Sequence, residues 1–145
     1  ILVNKWDLIS KDTGTMKEFE ASIREKIAPF TDVPIVFTSN LTKQRILKAF
    51  EVAMAVFENR KRKISTSQLN DFLLPIMKNQ PPPMFKGQMV RIKYVTQIQS
   101  QTPTFAFYCN LPQYVKDPYK RFLENHIRSE YNLSGVTIRL FFREK

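Results

Sequence analysis

A chain of 145 residues with 43% hydrophobic and 25% charged side chains holds one ordinary domain or two small ones, each with a core. No apolar run approaches the roughly 18 residues that span a bilayer, and a single cysteine, Cys109, excludes a disulfide framework. The formal net charge of +10 is unevenly placed: residues 1–58 hold 8 Lys+Arg and 8 Asp+Glu, residues 59–145 hold 15 and 5. A basic second part points to polyanions, because neutralised phosphates release condensed counterions. No basic-then-apolar leader opens the sequence, so a cytosolic or organelle-matrix compartment is expected, cytoplasmic being the choice. A strand at residue 1 suggests a fragment of something longer.

In chain order, Ile1-Leu2-Val3 reads as a buried strand end, continuous rather than alternating, as parallel sheets require. Residues 10–15 are turn-rich, and a helix follows with Met16, Phe19, Ile23 and Ile27 on one face. Pro29 and Pro34 bracket a loop, and residues 34–38 form a second buried strand. Thr42 is a cap candidate for a helix whose stripe is Ile46, Leu47, Phe50, Ala53, Met54 and Phe57. Strand, helix, strand, helix is the tail of an α/β doubly wound sheet, where ligands bind beyond the carboxyl ends of the strands. Two loops leave those ends: Asn4-Lys5-Trp6-Asp7 and Ser39-Asn40-Leu41.

The first loop suits guanine. A carboxylate accepts two parallel N–H bonds, and guanine offers such a pair where adenine does not, so Asp7 discriminates between the bases. Asn4 can bond the N7/O6 side of the base or tether neighbouring loops. The Lys5 stem can lie over the ring, and a backbone N–H of the second loop can reach the guanine oxygen. Asn-Lys-x-Asp after one strand and Ser-(small)-Leu after the next resemble the fourth and fifth motifs of the translation-factor-like GTPases. That family usually has Ala where Asn40 stands, which places a side chain beside the base. No G-x-x-x-x-G-K-[ST] loop occurs, and Gly14, Gly87 and Gly135 cannot build one. The chain therefore carries no catalytic residues and no cradle for phosphates and Mg²⁺.

After the basic run 60–63, Ser65 and Gln68 form a capping box for a helix presenting Leu69, Phe72, Leu73 and Ile76. Pro75 should kink or end it. Pro81-Pro82-Pro83 reads as an extended spacer, followed by strands over 88–98 and 104–110. Asp117-Pro118, cap then first helical residue, opens a helix burying Tyr119, Phe122, Leu123, Ile127 and Tyr131, and 136–143 is the last strand. The order α-β-β-α-β makes a small α+β domain with a three-stranded sheet.

The stretches STSQLNDFL, PPP, GQMVRIKYVTQIQSQTPTFAFYCN, YKRFLENHIR and TIRLFFREK resemble the C-terminal KH-like domain of the Der (EngA) double-GTPase family. The NKWD part resembles the end of that family's second GTPase domain. The resemblance implies that residues 1–60 are the C-terminal part of a P-loop GTPase fold and 61–145 a KH-like domain. It implies a GTPase that binds GTP or GDP when intact, with Mg²⁺ held by residues outside this chain, and an inactive fragment expected to hold no cofactor. It further implies action in assembly of the large ribosomal subunit, with that subunit, its rRNA and the first G domain as partners. A standard KH domain clamps nucleotides with a GxxG loop; no two glycines here are three apart, so that clamp is absent.

Strand alternation puts Val90, Ile92 and Tyr94 with Phe105, Phe107, Cys109, Val136, Ile138, Leu140 and Phe142 under the helices. The opposite face would then show Arg91, Lys93, Tyr108, Arg139, Phe141 and Arg143, basic and aromatic together. That mixture suits RNA phosphates and stacked bases, or the docking of another domain. The rival to a ribosome-assembly GTPase is thus a non-catalytic interaction module whose basic sheet binds a protein. His126 lacks ligand-spaced neighbours and reads as a boundary residue, no metal being expected. Cys109 reads as a small hydrophobe, and the 60–63 run as a solvated helix end, with contact to rRNA the alternative.

Overall fold

A computed structural model describes residues 1–10, 12 and 14–144. Lys11 and Thr13 of the turn-rich 10–15 stretch lie outside the described residues. The chain divides into two compact units, Ile1–Asn59 with Ser134–Val136, and Arg60–Leu133 with the residues from Thr137 onward.

In the first unit, β1 (Leu2–Val3) pairs in parallel with β2 (Val36–Phe37), Leu2 beside Val36 and Val3 beside Phe37. The helices α1 (Thr15–Ile27) and α2 (Ile46–Lys61) alternate with the strands. Trp6 anchors the unit: only 2% exposed, it meets Phe37 at 4.4 Å and the edge of Phe19 at 5.4 Å between ring centroids. Three sequence expectations change here. The first strand is exposed rather than buried, Leu2 at 62%, and the α2 stripe stays open at Leu47, Phe50, Met54 and Phe57. Two short strands give too little sheet to cover both faces of a parallel arrangement. Thr42 does not cap α2: its N–H donates to Ser39 Oγ (3.2 Å), and Lys43 and Arg45 adopt left-handed φ of 56° before the helix starts. Gly135 also belongs to this unit: a Cβ there would lie 2.7 Å from Val56 and 2.9 Å from Pro34, and its φ is +76°.

The second unit runs α3 (Thr66–Asn79), β3 (Ile92–Ile98), β4 (Thr104–Cys109), α4 (Asp117–Glu130) and β5 (Arg139–Glu144). Its sheet has the order β3-β4-β5, antiparallel between β3 and β4 and parallel between β4 and β5. The capping box forms: Ser65 Oγ accepts from Gln68 N (3.2 Å), and Gln68 Oε1 accepts from Ser65 N (3.2 Å). The helix does not end at Pro75 but continues to Asn79. The proline ring lies on the exposed side, while Leu69, Leu73 and Met77 on the opposite stripe are buried. Their packing outweighs one lost backbone hydrogen bond. The cap of α4 shifts by one residue, to Lys116, with Asp117 and Pro118 inside the first turn and Asp117 paired to Lys120 Nζ at 2.8 Å. Pro82 is buried between exposed Pro81 and Pro83, so the triple proline is held at its middle residue rather than being a free spacer.

One core cluster fills this unit, with Leu69, Leu73, Val95, Phe105, Phe107, Leu123, Ile127 and Leu133 all fully buried. The edge of β3 is bracketed by one side chain. Asn70 Nδ2 donates to Val95 O and its Oδ1 accepts from Val95 N, both at 2.9 Å, so the amide substitutes for a neighbouring strand. The Tyr119 hydroxyl donates to Gln80 O (2.8 Å) and ties α4 to the end of α3.

Candidate functional site

The parallel ladder of the first unit carries on into its loops. Thr38 N donates to Val3 O (2.8 Å), and Trp6 N donates to Thr38 O (3.0 Å). The first loop is thereby fixed beside the end of the second strand, as the switch point of an open α/β sheet demands. Lys5 takes a left-handed φ of 59° between exposed Asn4 and buried Trp6. Trp6, expected among the nucleotide-contacting residues, is instead an inward packing anchor, because its large apolar ring gains more from Phe37 and Phe19 than from solvent.

The two expected loops meet through side chains. Ser39 Oγ donates to Asp7 Oδ1, and the same hydroxyl accepts from Thr42 N. Ser39 is fully buried and exchanges backbone hydrogen bonds with Gln44 at 3.0 and 3.3 Å, so its position is over-determined. Sequence reasoning gave Ser39 a role only through the backbone of its loop. The missed part is its hydroxyl, which orients one oxygen of the Asp7 carboxylate. Asn40 and Leu41 are exposed, Leu41 at 83%. Asn4 and Asn40 line a cleft of about 330 Å³ with Leu2, Thr38, Ile46 and Phe50.

In the second unit, the sheet face opposite the core is set by the register. Tyr108 lies opposite Tyr94 and beside Arg143, Ala106 opposite Thr96 and beside Phe141, and Thr104 beside Arg139. Residues directly paired share a face, so Tyr108, Arg139, Phe141 and Arg143 come together. Arg139 and Arg143 are exposed, and Phe141 is 44% exposed. Tyr94, expected under the helices, joins this face instead. A bulge between Ile92 and Tyr94 inserts one residue, which reverses the alternation, and Tyr94 stacks on Tyr108 at 4.5 Å and 15° instead of joining the core. Lys93 sits at that bulge, exposed and outside the paired register, and Arg91 precedes β3 with its N–H on Asn110 Oδ1 (2.7 Å).

Cys109 is buried within the core cluster, and burial pushes its thiol above the ordinary range, which leaves it an unreactive packing group. His126 packs on Phe122 at 4.3 Å with Nδ1 2.8 Å from the Phe122 carbonyl. Among the described residues no three His, Cys, Asp or Glu side chains gather to hold a metal, and no helix is long and apolar enough to cross a membrane.

Comparison with known proteins decides the family. Residues 63–143 match the family model described as the KH-domain-like region of EngA bacterial GTPase enzymes, C-terminal. The chain belongs to the Der (EngA) family. It is 61% identical over 145 residues to the GTPase Der of Christiangramia forsetii and 57% identical to that of Flavobacterium psychrophilum, each alignment covering all of this chain and 33% of the relative. The GTPase Der of Bacteroides thetaiotaomicron is 54% identical over 147 residues, covering 34% of its length. The chain thus spans about a third of the length of the curated Der relatives it matches.

Proposed function

We propose that residues 1–60 are the end of a GTPase domain, that 61–145 are the KH-like domain following it, and that the intact protein is a cytoplasmic GTP-binding enzyme of large-subunit biogenesis. The observation that carries the nucleotide part is the Ser39 hydroxyl on the Asp7 carboxylate, which joins the two loops that read a base. With one carboxylate oxygen oriented from behind, Asp7 is positioned to accept the ring N1–H and exocyclic amino group of guanine. Asn4 and the Lys5 stem frame the base, and the Ser39-Asn40-Leu41 backbone supplies the donor for its oxygen. Phosphates and Mg²⁺ would be held by residues outside this chain, so the turnover of GTP is a property of the longer protein. The KH-like domain would contact rRNA through the basic, aromatic face of Tyr108, Arg139, Phe141 and Arg143.

The nucleotide assignment is tested by Asp7→Asn in the full-length protein. Preference should move from guanine to xanthine nucleotides, because the new amide N–H faces the xanthine 2-oxo group and the guanine amino group loses its acceptor. Competition binding measures this, and unchanged GDP affinity overturns the role of Asp7. A second reading has one observation in its favour: Phe141 is 44% exposed beside the buried Ala106, an apolar spot that suits docking of the first G domain or another protein. RNA association that falls steeply with salt supports the first reading; binding indifferent to salt supports the second.

A further inference from the structure

A second cationic and aromatic cluster lies off the strands. Phe85 and Gln88 close a turn by exchanging backbone hydrogen bonds (3.0 and 2.9 Å), with Lys86 and Gly87 at φ of 48° and 74° between them. That left-handed pair fixes the Lys86 backbone instead of leaving a loose loop. Phe85 stacks on Tyr114 at 4.4 Å and 23°, joining the turn to the short 3-10 helix Pro112–Tyr114 that leads into α4. Two ammonium groups converge on the Phe85 ring, Lys116 Nζ at 4.9 Å and Lys86 Nζ at 5.7 Å from its centroid. Neither lysine forms an ion pair with a carboxylate of the described residues. Both are exposed, and Met84 and Met89, at the two ends of the turn, are exposed at 61% and 44%.

Bringing two like charges to one ring costs energy that the ring quadrupole offsets only in part. An anion between them removes the cost. The neighbouring stacked rings and methionines add a surface for a flat, polarisable group. A nucleic acid supplies both, phosphates for the ammonium groups and a base for the rings. The base must be unstacked to reach them, which selects a single-stranded segment over a duplex.

We propose that the 84–89 turn, with Tyr114 and Lys116, is a second RNA-binding surface, distinct from the outer face of the sheet, that takes a single-stranded segment. Its phosphates lie on Lys86 and Lys116 and a base lies against the Phe85–Tyr114 pair. This rests on the reading that the second unit meets RNA. It places part of that contact on a rigid turn and a helix start, where neither sheet alternation nor a glycine signature would locate it.

The test uses the full-length protein and a fluorescent twelve-nucleotide polyuridylate, with affinity measured by anisotropy over a salt series. Lys86→Gln/Lys116→Gln should weaken binding about tenfold at low salt and flatten the log–log salt slope by about 1.4, two contacts at roughly 0.7 each on a single strand. The Lys86→Arg/Lys116→Arg variant should retain the affinity, and photocrosslinks from 4-thiouridine should map to residues 84–89 and 114. Circular dichroism of each variant confirms the fold, the lysines being exposed. If the glutamine pair binds like the parent while Arg139→Glu/Arg143→Glu loses RNA, this surface is refuted and the sheet contact stands. If the parent binds no RNA, both fall. If the glutamine pair binds the RNA like the parent but loses affinity for a fluorescent polyglutamate that the parent binds, the site belongs to an acidic protein segment, which also refutes the proposal.

Discussion

At the scale of single residues, two glycines with nearly the same backbone have different work to do. Gly135 and Gly87 share left-handed φ values of 76° and 74°. A methyl group at 135 would press on Val56 and on the Pro34 ring at 2.7 and 2.9 Å, whereas nothing lies within 4 Å of one at 87. The Pro34 ring cannot rotate away. Gly135→Ala should therefore combine backbone strain with overpacking and cost about 2–4 kcal/mol. Gly87→Ala should cost only the strain, about 1–2 kcal/mol. Denaturant titration of the two variants checks this, and equal losses would refute the packing role of Gly135. The same scale explains what was legible in Ser39. Its place in a Ser-x-Leu motif after a strand is visible in sequence. Its hydroxyl contact with Asp7, 32 positions away, is not, because it exists only once the parallel ladder aligns the two loops.

At the scale of elements, contacts within a few residues follow the local sequence, whereas cross-strand and tertiary contacts override it. The Ser65–Gln68 capping box is a contact within four residues, and it forms as its sequence dictates. Pro75 breaks a local rule, yet α3 runs through it because the tertiary packing of Leu73 and Met77 decides the outcome. The bulge at β3 is a cross-strand event: pairing Tyr94 with Tyr108 leaves one residue of the strand over, and alternation counted along one strand cannot register that. Asn70, a polar residue beside the buried Leu69 of an apolar helix face, is the one local sign of the bracket on β3. Asn70→Ala should expose the buried Val95 amide and carbonyl without partners and destabilise the second unit by about 2–4 kcal/mol. Asn70→Asp should not rescue, since a carboxylate cannot donate to Val95 O. Hydrogen exchange at Val95 reports both, and protection unchanged in Asn70→Ala would discard the bracket.

At the scale of the whole molecule, the proposed guanine loops stand in a sequence that has no G-x-x-x-x-G-K-[ST] pattern. Most nucleotide affinity in P-loop proteins comes from the phosphate loop and Mg²⁺. The 145-residue chain by itself should not hydrolyse GTP and should bind GDP weakly or undetectably. Isothermal calorimetry and phosphate release on this chain are the measurements, and a micromolar dissociation constant would contradict the division of labour. The charge division belongs to this scale as well. The excess of 15 basic over 5 acidic residues falls in 59–145, so salt-dependent RNA affinity should follow that part of the chain.

The sequence by itself determined the element order, the family, the capped start of α3, the loops Asn4–Asp7 and Ser39–Leu41, and the basic character of the second part. The family lies in the resemblance of whole stretches of sequence; the others are local or compositional properties, carried by spacing, turn chemistry and charge count. Only the tertiary structure decided that Trp6 faces inward, that Ser39 holds Asp7, that Tyr94 crosses to the outer face and that Lys86 and Lys116 share one ring. Each depends on residues distant in the chain being brought within a few ångströms, and that proximity is fixed by which apolar surfaces pack together. No local pattern encodes it.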